Sequence, residues 1–85
     1  MKTFSYVITD ELGIHARPAG MLVKKAAEFQ STITVEKDGK KADAKRIMAL
    51  MSLAAKKGAK INVTVEGPDE AAAAEAVEKF IKDNL

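Results

Sequence analysis

Eighty-five residues with 47% apolar and 31% charged side chains are enough for one domain and too apolar for a disordered chain. No cysteine and a single histidine exclude a disulfide framework and thiolate chemistry and leave no set of ligands for structural zinc, so neither a metal nor another cofactor is expected. The net charge of +2 conceals a split, with +6 over residues 1–65 and −4 over residues 66–85.

Residues 3–8 alternate, with Phe4, Tyr6 and Ile8 on one face, and predict a half-buried strand that Asp10-Glu11-Leu12-Gly13 breaks. From Ala16 to about Glu28 the period changes. Ala19, Leu22, Val23, Ala26 and Phe29 make one apolar stripe, and Lys24, Lys25 and Glu28 the opposite face, so an amphipathic helix follows. Thr32–Glu36 alternates again with Ile33 and Val35 inward. Asp38-Gly39 then suits a type I′ hairpin into a short edge strand at 40–43, guarded by its lysines.

Residues 47–53 read as a short helix with Ile47, Leu50, Met51 and Ala54 on one side, and Gly58 as its breaker. The bland reading of the methionines at 21, 48 and 51 is core filler; Met51, on Leu50's side, is read either as core or as surface, whereas Met48 cannot share Leu50's face and should be exposed. Ile61, Val63 and Val65 mark a fourth strand. After Gly67-Pro68-Asp69, a stripe of Ala73, Ala76, Val77, Phe80 and Ile81 predicts a last helix to about Asn84. The order is β-α-β-β-α-β-α. Alternating strands and one-striped helices imply an α+β open-faced sandwich, a mostly antiparallel sheet with helices on one face, in a single domain over 1–85. No signal peptide, membrane span or heptad is visible, so a cytoplasmic monomer without membrane insertion is expected.

Chemistry concentrates in Gly13-Ile14-His15-Ala16-Arg17-Pro18-Ala19. His15 stands where strand ends and helix begins, and Pro18 falls in the first turn, where a missing N–H costs nothing. Free amides at a helix start favour an anion, Arg17 adds a guanidinium suited to phosphate oxygens, and a neutral imidazole is a nucleophile. A lone histidine is nevertheless more often a surface or capping residue, and spacing by itself leaves both readings open. The basic residues Lys40, Lys41, Lys45, Arg46, Lys56, Lys57 and Lys60 would also suit a small nucleic-acid-binding domain. Against that reading stand the absence of stacking aromatics and the acidic last helix.

The 13–19 stretch closely resembles the phosphohistidine signature of HPr, the phosphocarrier of the bacterial phosphoenolpyruvate:sugar phosphotransferase system. The resemblance runs through Asp38-Gly39-Lys40, Ala44-Lys45, Ile47-Met48, Leu50 to Leu53, Gly58, Gly67 and Asp69-Glu70. It implies four antiparallel strands covered by three helices. His15 would accept a phosphoryl group at Nδ1 from phospho-enzyme I and pass it to enzyme IIA domains, with Arg17 stabilising it and Ala16 and Pro18 forming the first turn at the site. Such a carrier is not an enzyme and needs no cofactor. Ile47, Met48 and Met51 would form the apolar part of the partner surface, and Lys24, Lys45 and Arg46 its charge.

Many relatives carry a regulatory serine where this chain has Arg46, so control by the serine kinase is expected to be absent, as is strong binding of the catabolite-control repressor. Asp43 is the nearest alternative cap for the second helix. Retention of His15 argues against the regulatory paralogues called Crh, while a nitrogen-regulatory branch and other regulatory partners stay open.

Overall fold

Alternation along each strand decides which side of the sheet is dry. In the computed structural model, which describes residues 1–85, β1 (Lys2–Val7), β2 (Thr32–Lys37), β3 (Lys40–Asp43) and β4 (Lys60–Glu66) pair antiparallel in the order β1-β4-β2-β3. The register sets Phe4 beside Val63, Val63 beside Val35, and Val35 beside Ala42, an apolar row across all four strands. One residue along, Thr3, Thr64, Thr34 and Asp43 line up on the opposite, uncovered face. A one-residue slip would exchange the two rows, so burial fixes the register.

Three helices cover the apolar face: α1 (Ala16–Ala26), α2 (Ile47–Ser52) and α3 (Glu70–Asn84). They contribute Ala19, Leu22 and Ala26 from α1, Leu50 from α2, and Ala73, Val77 and Ile81 from α3, all buried against Ile33, Val35, Ile61, Val63 and Val65. Each of those larger aliphatic side chains contributes about 1.5–3 kcal/mol by leaving water. The element order and the layers are those the periodicity predicts. The hairpin is too: Asp38 and Gly39 both have positive φ, 51° and 82°, as a type I′ turn requires.

Local differences have local causes. The first helix stops at Ala26 and not near Glu28, because the amides of Glu28 and Phe29 bond back three residues to Lys25 and Ala26 and tighten the last turn. The second helix ends at Ser52, six residues before Gly58. Ala54, at φ 52°, takes the left-handed position that closes it, and Gly58 instead turns the chain toward β4. Ala54 is therefore exposed and not part of a buried stripe, and Met51, which the spacing left between core and surface, is 37% exposed. Leu53 and Leu85 are buried in places that helical spacing did not indicate. Asp43 does not cap α2. Its carboxylate accepts from the amide of Lys45 at 2.9 Å, while Arg46 holds the N-cap position with no side-chain bond.

Asp69, at the start of α3, reaches across the fold to the turn before β2. Its carboxylate accepts from the Gln30 amide at 2.9 Å, the Ser31 amide at 3.0 Å and the hydroxyl of the fully buried Ser31. These donors, the Ser31 hydroxyl foremost, hold the Asp69 carboxyl below the usual carboxylate range. The ammonium of Met1 and the Gly67 amide do the same for Glu70. A carboxyl whose pKa is lower folded than unfolded adds stability above its unfolded pKa, and that stability is lost as pH falls through the folded value. The urea midpoint should accordingly drop below about pH 4. In Asp69→Asn it should be lower at neutral pH and fall less on acidification, which paired urea titrations would show; an unchanged acid slope would remove Asp69 from the account.

Candidate functional site

The segment between β1 and α1 is held from two sides. The Ile8 amide donates to the Ala59 carbonyl at 2.9 Å and the Ile14 amide to that of Ala55 at 2.8 Å, which ties it to the turn before β4. On the other side the amides of Thr9 and Asp10 donate to the main-chain oxygen of Leu85, at 2.6 and 2.8 Å. Gly13 sits at φ 62°, with its backbone so close to the 55–56 turn that a Cβ would stand 2.0 Å from the Ala55 carbonyl oxygen. Only glycine fits there.

This framework delivers His15 to the N-cap of α1 in an extended conformation, φ −116° and ψ −175°. Its carbonyl accepts from Ala19 at 2.9 Å, but its imidazole makes no capping bond and is half-buried. The amides of Ala16 and Arg17 have no acceptor within the protein, and Pro18, third in the helix, brings none. Two N–H groups and the positive end of an 11-residue helix dipole therefore stand beside the imidazole. Arg17 is exposed, with no carboxylate within ion-pair reach. A shallow depression of about 270 Å³ is lined by Asp10, His15, Arg17, Pro18, Met21 and Asn84. The arrangement offers a nitrogen nucleophile and several ways to meet the charge of an anion placed on it.

Ala16, Gly20 and Lys24 follow one another along α1 at four-residue spacing, and Ile47 of α2 packs beside Gly20, where a Cβ would lie in ordinary contact 3.6 Å from Ile47 Cδ1. Ile47, Met48 and Met51 are 38%, 75% and 37% exposed, so an open apolar surface stands beside the first turns of α1. Met21 joins the exposed set at 45% and is not core filler. Lys24 and Arg46 are exposed near this surface. Lys45 is placed differently. Its ammonium donates to the Phe29 carbonyl at 2.8 Å, beyond the far end of α1 from His15. The basic residues do not form one field either, since Glu36 lies directly across from Lys41 on the uncovered sheet face.

Sequence reasoning missed Asp10 and Asn84. The Asp10 side chain accepts from the Leu12 amide at 2.9 Å, a local turn that its spacing could have suggested. Asn84 reaches the site only through the closure of α3 onto the β1–α1 segment, for which no local pattern exists.

The family described as "PTS HPr component phosphorylation site" matches residues 2–83. The phosphocarrier protein HPr of Lysinibacillus sphaericus is 45% identical over 83 residues, covering 98% of this chain and 94% of that one. Among solved structures, the histidine-containing phosphocarrier protein of a Mycoplasma superposes with a TM-score of 0.93 at 39% identity, covering 96% of this chain and 93% of its own. An HPr dimer from Thermoanaerobacter tengcongensis superposes with a TM-score of 0.77 at 42% identity, covering 98% and 95%.

Proposed function

The chain belongs to the PTS HPr family, and on that premise we propose that it carries phosphoryl groups on His15 Nδ1, taking them from phospho-enzyme I and giving them to enzyme IIA domains of sugar transporters. The observation that carries the reading is His15 at the open amino end of α1, with two free amides and Arg17 beside it. The transfer balances without a base. The His15 lone pair forms the new N–P bond as the donor's N–P bond breaks, and each imidazole keeps the proton on its other nitrogen. Metaphosphate-like charge developing on the phosphoryl oxygens is met by the Ala16 and Arg17 amides and by the Arg17 guanidinium.

Docking uses Ile47, Met48 and Met51, with Lys24 and Arg46 steering an acidic partner surface, so binding weakens as salt rises. Lys45 adds its charge only from the flank. The single domain works as a monomer in the cytoplasm. The sugar-uptake role is preferred over a nitrogen-regulatory one because the curated relatives are phosphocarrier proteins HPr. Incubation with enzyme I, magnesium for that enzyme, and labelled phosphoenolpyruvate should give acid-labile, base-stable label that maps to His15. No label on folded protein would overturn the reading.

Arg46 removes the hydroxyl that many relatives present ahead of the second helix. Of the two serines nearest this region, Ser31 is fully buried and engaged with Asp69, while Ser52 is exposed and donates to the Ala49 carbonyl. Incubation with the serine kinase and ATP should leave the protein unmodified, whereas Arg46→Ser should restore a substrate. Phosphate on Ser52 in the parent chain would show a substitute site.

A further inference from the structure

The depression that holds His15 and Arg17 also holds a fixed negative charge. Asp10 is anchored through every group it has for the purpose: its amide donates to the Leu85 oxygen at 2.8 Å, its carbonyl accepts from Gly13 at 3.1 Å, and one carboxylate oxygen accepts from Leu12 at 2.9 Å. No lysine or arginine pairs with the carboxylate, although Asp10 lines the same depression as Arg17. The bond to the Leu12 amide needs only an oxygen acceptor, so the local turn accounts for the side chain's position and not for its charge. Like charges brought together oppose one another, by an amount that depends on salt.

We propose that Asp10 tunes the phosphoryl-transfer potential of the carrier, its carboxylate opposing the phosphoryl dianion on His15 that Arg17 and the α1 amides favour. The assignment rests on the carrier reading above. Helix amides and a guanidinium acting unopposed would hold the phosphoryl group too well for a protein that must give it up. A carboxylate on a residue of the same depression raises the energy of the phosphorylated form relative to the free one, because the phosphoryl group brings new negative charge near it. Asp10 acts through space on the phosphoryl charge and takes no proton and forms no bond in the transfer.

The test is a direct competition. Wild-type protein, phosphorylated through enzyme I and freed of phosphoenolpyruvate and pyruvate, is mixed with an equal amount of unphosphorylated Asp10→Asn and a trace of enzyme I, so that phosphate redistributes between the two chains. Asparagine keeps an oxygen for the Leu12 amide and removes only the charge. At low salt Asp10→Asn should hold roughly threefold to tenfold more phosphate than wild type, and the ratio should shrink toward one in about 1 M salt. Asp10→Glu, which keeps the charge, should stay near the wild-type value. An even distribution for Asp10→Asn at low salt overturns the proposal. So does an equal excess for Asp10→Glu, or an excess that salt does not change, since either would mark a disturbed loop. Failure of the wild type to take phosphate at all is a different result, and it removes the carrier reading itself.

Discussion

Replacing His15 with asparagine should abolish phosphate uptake and raise the thermal midpoint of the same protein. His15 occupies the N-cap of α1 without using its side chain as a cap. Asparagine is among the best N-cap residues because its side-chain oxygen accepts from an amide of the first turn. Here only the Arg17 amide can serve, since the next residue, Pro18, has none. The gain should be roughly 0.5–1 kcal/mol, which for a domain of this size is about 2–6 °C. Label uptake from phosphoenolpyruvate and enzyme I, followed by thermal unfolding monitored by circular dichroism, reads both quantities in one preparation. Residual acid-labile label would mean a second acceptor. A lower midpoint would mean that the imidazole makes a structural contribution that its geometry does not show.

Gly13→Ala should have the opposite signature, a large loss of stability and a damaged site with His15 still in place. The methyl group would have to take a left-handed conformation, at about 1–2 kcal/mol. It would also meet the Ala55 carbonyl oxygen at 2.0 Å and Lys56 Cα at 2.6 Å, both backbone and unable to rotate away. The 8–15 segment must then pull back from the 55–56 turn, and the bond from the Ile14 amide to Ala55 is lost, worth about another 1 kcal/mol. A total near 3 kcal/mol is a sizeable share of the roughly 4–13 kcal/mol available to 85 residues. Urea unfolding and the rate of phosphate uptake should both suffer, and uptake should fall even where the protein is still fully folded. Normal uptake at reduced stability would show that the segment holds His15 correctly without its contact to the turn.

Four strands, three helices and the hairpin were legible because each rests on a short-range period or a turn with one steric solution. Phe4 and Tyr6, Ile33 and Val35, Leu22 and Ala26 all sort by spacing alone. The ends of the helices were less legible. Gly58 is the conventional stop, yet Ala54 adopts the left-handed angle, because buried Leu53 and Ala55 on either side fix the path of the chain there. The same asymmetry holds at the site. His15, Arg17 and Pro18 are neighbours in sequence and could be read together, whereas Asn84 joins them only through contacts between the two ends of the chain, and Asp10 through those contacts together with its local turn. The Asp69–Ser31 clamp, with partners 38 residues apart, was invisible for the same reason. A charge such as Lys45 reads as a free cation until a distant carbonyl is seen to hold it.

The clasp of Thr9 and Asp10 on the Leu85 oxygen spans 76 positions, and it puts the parts of the site out of step with the order in which a ribosome adds them. His15 lies far in sequence from the two supports of the segment that presents it, the 55–59 turn and the end of α3. The conformation of the His-Ala-Arg-Pro stretch is thus set by residues distant from it along the chain. A change at the end of α3 or in the 55–59 turn should therefore be felt at His15.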